Sequence, residues 1–258
     1  MNYGLYLSAA GVLTNMHRQD ATANNLANAS TVGFKRDLAA LTQRTPEARE
    51  DPTSPDLAHQ LLDRLGGGTL VRPTETDFRP GAIQNTENDL DLALDGPGFF
   101  NVQVQRGDQT LHRLTRDGRF TLGHQGALVT STGGHPVLGR DGSPIRLDPN
   151  APVHVDAAGT IRQRGDAVAR LRMIDPQPRD RVHHDGLGLY RAPDAAIADA
   201  PDADARVVQG AVEQANVDPV REMVQMIETS RAISHNARLI DYHDRIMQHA
   251  ANTLGRVS

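Results

Sequence analysis

The chain has 258 residues, a formal net charge of −5, no cysteine, no tryptophan and only 3% aromatic residues. The missing cysteines exclude disulfides, thiolate zinc sites and cysteine nucleophiles. The acidic balance argues against a nucleic acid as the main partner. No apolar run approaches the roughly 20 residues needed to span a bilayer. The first residues lack the pattern of a secretory signal peptide, so we expect any export to use another route.

The first predicted element is a helix from Tyr3 to Asn28. Its apolar residues recur every three or four positions, which is the spacing of a narrow helical seam. These residues are Leu5, Ala9, Val12, Met16, Ala23 and Leu26. The asparagines at its end and Gly33 beyond it predict a helix exit followed by a turn.

A polar segment rich in Pro, Thr and Gly follows from Thr42 to Pro80. We interpret it as a linker or excursion with one short helix at Asp56–Leu65.

A β region is predicted from about Ile83 to Ile174. Short apolar runs alternate there with Asp-Gly and Gly-Gly pairs, which is typical of antiparallel hairpins in a meander or small barrel. We expect Asp89, Asp91 and Asp95 to be solvated, because strand alternation places them opposite the leucines. The runs are Leu90–Leu94, Phe99–Val104, Arg119–Leu122, Ala127–Thr130 and Val153–Val155, and the stretch from Asp175 to Arg206 is expected to be loop-like.

The last predicted element is a helix that begins at Asp218-Pro219 and ends at Leu254. As one helix it would be about 54 Å long. Its seam consists of Met223, Met226, Ile233, Ala237, Ile240, Met247, Ala251 and Leu254. Two such seams most simply pack on each other or on neighbouring molecules. Each helix alone could also be an ordinary amphipathic helix, but seams at both ends favour assembly.

The predicted fold class is therefore α+β, with long N- and C-terminal helices that pair as a coiled coil and a central, mostly antiparallel β module. No catalytic or metal site is expected. His183, His184 and Asp185 are potential ligands, but adjacent residues do not face one point. Glycines 96, 98, 186 and 188 are assigned to turns, since the context of a dinucleotide fold is missing. We expect no cofactor, no small-molecule substrate and no enzymatic activity. The competing class is a β-module enzyme or a carbohydrate-binding protein with helical flanks.

Motif residues occur along nearly the whole chain. They are Asn24, Asn25, Leu26, Asn28, Gly33 and Phe34, then Gly96, Gly98, Phe99, Phe100, Arg116 and Gly118, then Gly210, Asn216, Val217 and Arg231. In this order they resemble the flagellar basal-body rod and hook family, specifically rod proteins of the FlgF and FlgG type. Ala215 and the pair Ile233-Ser234 depart from the family pattern, and the segment from Thr42 to Arg79 matches nothing in it. The segment Gly139–Ile145 favours the proximal-rod FlgF type over the distal-rod FlgG type.

The resemblance implies a structural subunit of the bacterial flagellar rod. Its terminal helices would pair as a coiled coil that lines a hollow axial tube, and the β module would lie outside and help to transmit torque. The implied partners are copies of the chain, other proximal and distal rod subunits, the hook side and the flagellar type III export apparatus. The implied location is the periplasm-spanning rod of the basal body, reached without a cleaved signal peptide. Alternatives are a distal-rod or other hook-family axial protein, an exported hook-capping or junction protein, or a non-flagellar β-module binding protein.

On this basis we expect five segments: 1–35 for the N-terminal helix and its exit turn, 36–82 for the linker or excursion, 83–175 for the β module, 176–209 for a return loop and 210–258 for the C-terminal helix. Gly33-Phe34 and Gly96–Phe100 would anchor the tube to the β module. The expected assembly interface consists of Leu5, Val12, Met16, Leu26, Met223, Met226, Ile227, Ile233, Ile240, Met247 and Leu254. The helices are expected to be largely unfolded before assembly, because a seam without its partner leaves apolar surface in water.

Overall fold

The computed structural model describes residues 3–43, 68–198 and 200–254. The chain forms two compact units. Unit 1 comprises the described parts of 1–27, 37–75 and 218–258, and unit 2 comprises 28–36 and 76–217. Unit 1 therefore contains both ends of the chain.

Two long helices and one short helix are present in the described residues: α1 is Tyr3–Ala27, α2 is Asp194–Ala198 and α3 is Pro219–Leu254. Short 3-10 turns lie at His124–Gly126 and Arg179–Arg181. The predicted start of the last helix is confirmed, because Asp218 Oδ1 accepts hydrogen bonds from the N–H groups of Val220 and Arg221 at 3.1 and 3.2 Å. The helix predicted at Asp56–Leu65 lies outside the described residues.

The strands, in chain order, are β1 Asp37–Leu38, β2 Leu41–Gln43, β3 Thr69–Val71, β4 Glu75–Thr76, β5 Ile83–Asn85, β6 Leu92–Asp95, β7 Phe99–Arg106, β8 Gln109–Thr115, β9 Phe120–Leu122, β10 Leu128–Thr130, β11 Val153–Val155, β12 Thr160–Gln163, β13 Asp166–Arg170, β14 Met173–Ile174, β15 His183–Gly186, β16 Leu189–Arg191, β17 Arg206–Gln209 and β18 Ala211–Glu213. The strand predicted at Val153–Val155 has the same bounds in the structure, and β7 is two residues longer than its prediction.

In unit 1 the two long helices lie antiparallel. Gly4, at the start of α1, is next to His243 near the end of α3, and Gly11 is next to Asn236. Strand β3, which pairs with β2, also packs on α1, and Gly68 just before it lies beside Leu7. Side-chain-free glycines therefore stand at the places where other residues approach α1 closely.

Unit 2 consists of small antiparallel sheets, the largest of which has the strand order β14-β7-β8-β16-β15. Alternate residues of β7 face two apolar clusters: Phe100 and Val102 lie in the larger one, and Phe99 lies in the smaller one with Leu114 and Tyr190. The fold is α+β with mostly antiparallel strands, as predicted. The strands form several short sheets, and the meander or small barrel that we expected stays a prediction.

Two predictions for unit 2 were wrong. The stretch from Asp175 to Arg206 is not a loop: it contains β15 and β16, which extend the five-stranded sheet because Leu189 and Tyr190 pair with Thr115 and Leu114. The His-His-Asp-Gly sequence of β15 has low strand propensity, which hid this hairpin.

Asp91 is not solvated either. It is only 7% exposed, and its carboxylate accepts hydrogen bonds from Thr86 Oγ1 at 2.7 Å and Asn88 Nδ2 at 3.1 Å. The neighbouring strand β6 is covered because β17 pairs with it along its whole length.

A search of the described helices for a membrane-spanning segment finds none of sufficient length and apolarity.

Candidate assembly surface and junction network

The buried side chains of the two long helices are mostly polar or small. In the described part of α1 and α3 they are Ser8, Thr14, Ala21, Thr22, Asn25, Glu222 and Thr229. None of them belongs to the predicted apolar seam. The fully buried positions of the two long helices are therefore small or polar rather than large and apolar.

These polar groups are largely satisfied within their own helix. Ser8 Oγ donates to the carbonyl of Gly4 at 2.8 Å, and Asn15 Nδ2 donates to the carbonyl of Gly11 at 2.8 Å. Thr229 Oγ1 donates to the carbonyl of Gln225 at 2.9 Å. Because each bond closes on the preceding turn of the same helix, these side chains can be buried without a polar partner on the other helix.

Asn25 fixes the turn that follows α1 on the unit 1 side. Its Nδ2 donates to the carbonyl of Asp37 at 2.8 Å, and its Oδ1 accepts from the N–H of Asp37 at 2.8 Å. The same Nδ2 lies 3.5 Å from Glu222 Oε2 of α3. One buried amide thus holds the two ends of segment 28–36 close together.

The predicted seam residues with described side chains are half-buried or exposed rather than fully buried. Leu5, Val12, Leu26, Met226, Ile233 and Ile240 are half-buried, Met16, Met223, Ile227 and Met247 are exposed, and the side chain of Leu254 lies outside the described residues. Ile227 is 55% exposed. The exposed large apolar residues of both helices are here called the outer apolar surface: Tyr6, Leu13, Met16, Val220, Met223, Val224, Ile227, Leu239, Tyr242, Ile246 and Met247.

A second feature lies inside unit 2, around the carboxylate of Glu213. Its Oε1 accepts from Lys35 Nζ at 2.6 Å and from the N–H of Gly81 at 2.8 Å, and its Oε2 accepts from Arg116 Nη1 at 3.0 Å. Burial lowers the pKa of Lys35 and that of Arg116, while the charge of Glu213 opposes both shifts. All three side chains are almost fully buried.

Residues 33–36 are bound on several sides within unit 2. The hydroxyl of Tyr190 donates to the carbonyl of Gly33 at 3.1 Å and accepts from the N–H of Lys35 at 3.0 Å. The ring of His184 stacks on Phe34 with centroids 5.1 Å apart. Gly33 has φ +70°, and a Cβ there would lie 2.3 Å from the backbone of Arg116, so only glycine fits.

Asn216 joins the same segment to a third stretch of chain. Its Oδ1 accepts from the N–H of Arg36 at 2.7 Å, and its Nδ2 donates to the carbonyls of Asp77 and Arg79 at 2.7 and 3.0 Å. We call Lys35, Arg116, Tyr190, Glu213 and Asn216 the junction network. It binds together segments 33–36, 77–81 and 213–216, which lie near the points where the chain passes between the two units.

Comparison with known proteins identifies the family to which this chain belongs. Family models match the chain in three places: "Flagella basal body rod protein" at 7–35, "Flagellar hook protein FlgE/F/G D1 domain" at 93–163 and "Flagellar basal body rod FlgEFG protein C-terminal" at 208–254. The flagellar basal-body rod protein FlgF of Caulobacter vibrioides is 35% identical, with 100% of both chains covered. The chain belongs to the flagellar basal-body rod protein family.

Relatives of both rod types are similar to this rod protein. FlgF of Mesorhizobium japonicum is 31% identical over 100% of both chains, and FlgG of Buchnera aphidicola subsp. Schizaphis graminum is 30% identical over 95% of this chain and 96% of its own. The predicted family is confirmed, and it is a family of structural proteins rather than of enzymes. The preference for the FlgF type stays a prediction.

Most motif residues of this rod protein build unit 2. Phe99 and Phe100 are buried on opposite faces of β7, and the guanidinium of Arg116 lies 5.4 Å from the centroid of the Phe99 ring. A Cβ on Gly118 would lie 1.6 Å from the carbonyl oxygen of Leu92. Gly96, Gly98 and Gly210 have positive φ, Asn28 and Val217 are half-buried, Asn24 Nδ2 lies 3.3 Å from Asp37 Oδ2, and Arg231 is exposed on α3.

Sequence reasoning missed the residues at the centre of the junction network. Lys35 and Glu213 stood inside recognised motifs but were not proposed as site residues, and Tyr190 was not singled out at all. One signal was available: Lys35 is the only lysine of the chain, and it follows the apolar Val32-Gly33-Phe34. A buried charge requires a partner, but the sequence does not say which of many carboxylates that is.

The candidate metal ligands take part in other contacts. His184 Nε2 lies 3.0 Å from the carbonyl oxygen of Lys35, and Asp185 pairs with Arg113 at 2.6 Å. A search of the described residues finds no group of three or more side chains that could hold a metal ion.

Proposed function

We propose that this rod protein assembles with its own copies and with other rod and hook components through the outer apolar surface of α1 and α3. The observation that carries the proposal is the exposure of large apolar side chains on both long helices. Exposed clusters of large apolar side chains are typical of protein–protein interfaces. Each square ångström of apolar surface that a neighbour covers contributes about 25 cal/mol.

The spacing along α3 supports packing between helices. Met226, Ile233, Ile240 and Met247 recur every seven residues, the repeat that keeps one stripe of a helix against a partner. We propose that the helices pair as coiled coils and line a hollow axial tube, with α3, about 54 Å long, along it. The predicted interface residues, from Leu5 to Leu254, would divide between contacts within one copy and contacts between copies.

Unit 2 would then form the outer part of the subunit. Its buried junction network holds the segments through which the chain reaches α1 and α3, and rigid segments at this place suit a protein that transmits torque. We propose the proximal rod as its location in the basal body and delivery by the type III export apparatus, without a catalytic role for the chain. The division of the sequence into 1–35, 36–82, 83–175, 176–209 and 210–258 is part of this proposal, except that 176–209 is not a return loop, because β15 and β16 belong to the five-stranded sheet.

The proposal is tested in a flagellated bacterium whose own copy of the gene is replaced. The double variant Ile227→Asp/Tyr242→Asp places two charges on the outer apolar surface, and the expected result is loss of rod assembly and of swimming. Val168→Asp is the matched control, because Val168 is an apolar residue of β13 with 46% exposure. Electron microscopy of isolated basal bodies gives the readout. Normal rods from the double variant, present at normal levels, would refute the proposal.

A further inference from the structure

The single lysine of the chain is held in an unusual place. Lysine side chains are mostly exposed, and a buried ammonium requires a closely placed anion or several carbonyl oxygens. Lys35 Nζ has both, since it donates to Glu213 Oε1 at 2.6 Å and to the carbonyl of Arg79 at 2.9 Å. Because Lys35 itself belongs to segment 33–36, its ammonium connects all three segments that meet in the junction network.

Glu213 serves two cations at once. Arg116 Nη1 binds the other oxygen of the same carboxylate and also reaches the carbonyl of Leu94 at 3.3 Å, and Arg116 Nη2 donates to the carbonyl of Gly96 at 2.8 Å. Two buried cations share one carboxylate, so the loss of that carboxylate would leave two like charges unpaired in the interior. Removing Glu213 leaves both cations without this carboxylate, whereas removing one cation leaves Glu213 paired with the other.

Segment 28–36 depends on side chains for its attachment. It contains no strand, and both of its ends continue into unit 1. Three backbone bonds hold it within unit 2: Gly33 N–H donates to the carbonyl of Glu213 at 2.7 Å, Asp77 N–H to that of Arg36 at 2.8 Å and Asn216 N–H to that of Phe34 at 3.4 Å. Tyr190 and Asn216 hold the same backbone through their side chains. The junction network therefore supplies the side-chain hydrogen bonds of a segment that has few backbone bonds.

We propose that Glu213 is a positioning residue that holds segment 28–36 inside unit 2, and that breaking its contacts releases this segment while the five-stranded sheet stays folded. The sheet has its own cluster of Phe99, Leu114 and Ile174 and a continuous β7–β8 ladder. Local release of a segment without global unfolding is common where few backbone ladders hold it. The consequence for torque transmission rests on the proposed function, but the release itself does not.

The experiment uses the lysine as its own reporter. The purified full-length chain carries only two kinds of amine, the Lys35 side chain and the α-amine at its N-terminus. We would measure by mass spectrometry how fast an acetylating reagent modifies each of them, with the α-amine as the internal reference. In the native protein Lys35 should react at least about 100-fold more slowly than an exposed amine, because it reacts only when the segment opens.

Glu213→Gln should speed acetylation of Lys35 by about tenfold or more, while amide hydrogen exchange in β7 and β8 stays slow. Glu87→Gln is the matched control, because Glu87 is an exposed glutamate of the same unit. Unchanged protection of Lys35 in Glu213→Gln would overturn the proposal, as would a rise in exchange over β7 and β8 that matches the rise in acetylation.

A milder variant keeps the test decisive if Glu213→Gln does not fold. Tyr190→Phe removes only the hydroxyl that bridges Gly33 and Lys35, and it should raise acetylation of Lys35 by a smaller factor without affecting the sheet. An unchanged rate in this variant would also count against the proposal. Because the assay uses the monomer, its result is independent of whether the outer apolar surface drives rod assembly.

Discussion

Lys35 and Glu213 lie 178 residues apart in the chain and form an ion pair of 2.6 Å in which each side chain is 1% exposed. The pair joins the segment after α1 to the segment before α3, within unit 2. The ion pair therefore holds together, within unit 2, two segments that lie close in sequence to the two long helices. Its contribution to stability follows from the charges around it.

The two partners of this pair should differ in their effect on stability. Glu213→Gln leaves the cations of Lys35 and Arg116 unpaired and should lower the free energy of unfolding by about 3–5 kcal/mol. Lys35→Met removes one of two cations and leaves a one-to-one pair of Arg116 and Glu213, so we expect a loss of less than half that size. Urea unfolding followed by tyrosine fluorescence measures both. Equal losses would contradict the view that Glu213 is the shared partner.

Gly118 should tolerate no side chain. A Cβ there would lie 1.6 Å from the carbonyl oxygen of Leu92, so Gly118→Ala must displace backbone and should destabilise unit 2 by more than about 3 kcal/mol. Gly134→Ala is the control: Gly134 has φ +65° and nothing within 4 Å of an added Cβ, so it should lose only about 1 kcal/mol from backbone strain. Thermal unfolding of both variants tests the difference, and similar melting temperatures would contradict it.

Asn25 should hold the chain turn at the end of α1. Asn25→Ala removes its hydrogen bonds to the backbone of Asp37 and should cost about 1–3 kcal/mol of local stability. The expected sign is faster hydrogen exchange at the amide of Asp37. Asn24→Ala removes only a contact of 3.3 Å from Asn24 Nδ2 to the side-chain carboxylate of Asp37 and leaves the backbone bonds of Asp37 in place, so it should raise that exchange rate much less. Equal increases in the exchange rate of the Asp37 amide in the two variants would contradict this role of Asn25.

The Asp77–Arg79 pair makes one contribution to the free energy of unfolding that depends on pH. Hydrogen bonding from the Arg79 side chain lowers the pKa of Asp77 below its ordinary value of 3.8. Because the folded-state pKa is lowered, the stabilisation is fully present above the unfolded value and is lost as the pH falls through the folded value. Arg79 is largely exposed, so solvent screening keeps this contribution small.

The check is the free energy of unfolding of the native protein and of Asp77→Asn as a function of pH. The difference between them should be constant above about pH 5 and should shrink below pH 4. A difference that grows on acidification would mean that the sign is wrong.

The long helices could be predicted from the sequence because their signals are local. Asp218-Pro219 marks a helix start, and the seven-residue repeat persists over 36 residues of α3. What the repeat does not determine is which face meets which neighbour. Gly11 and Gly4 lie next to Asn236 and His243 of α3. The seam residues Ile233 and Ile240 stand three positions before these two residues, so this part of the predicted seam lies near the contact with α1 but is only half-buried.

The junction network could not be predicted for a different reason. Its members come from distant parts of the chain, and each is a charged or polar residue that is usually exposed. Only the three-dimensional placement of Lys35, Arg116 and Glu213 shows that one carboxylate is shared. The hairpin of β15 and β16 was missed because it lies in a polar stretch. Its buried apolar residues are Leu189 and Tyr190, and two residues are too few to show a strand pattern.

The absence of cysteine from the sequence makes the central claim directly testable, because any introduced cysteine is the only one. A spin label would be attached to Ile227→Cys or Tyr242→Cys on the outer apolar surface and, as a control, to Asp108→Cys in the turn between β7 and β8. Its mobility and its access to a water-soluble relaxing agent would be compared between the monomer and isolated basal bodies. The account predicts that both labels on α3 become immobile and inaccessible on assembly. Labels on α3 that stay mobile and accessible in complete rods would contradict it.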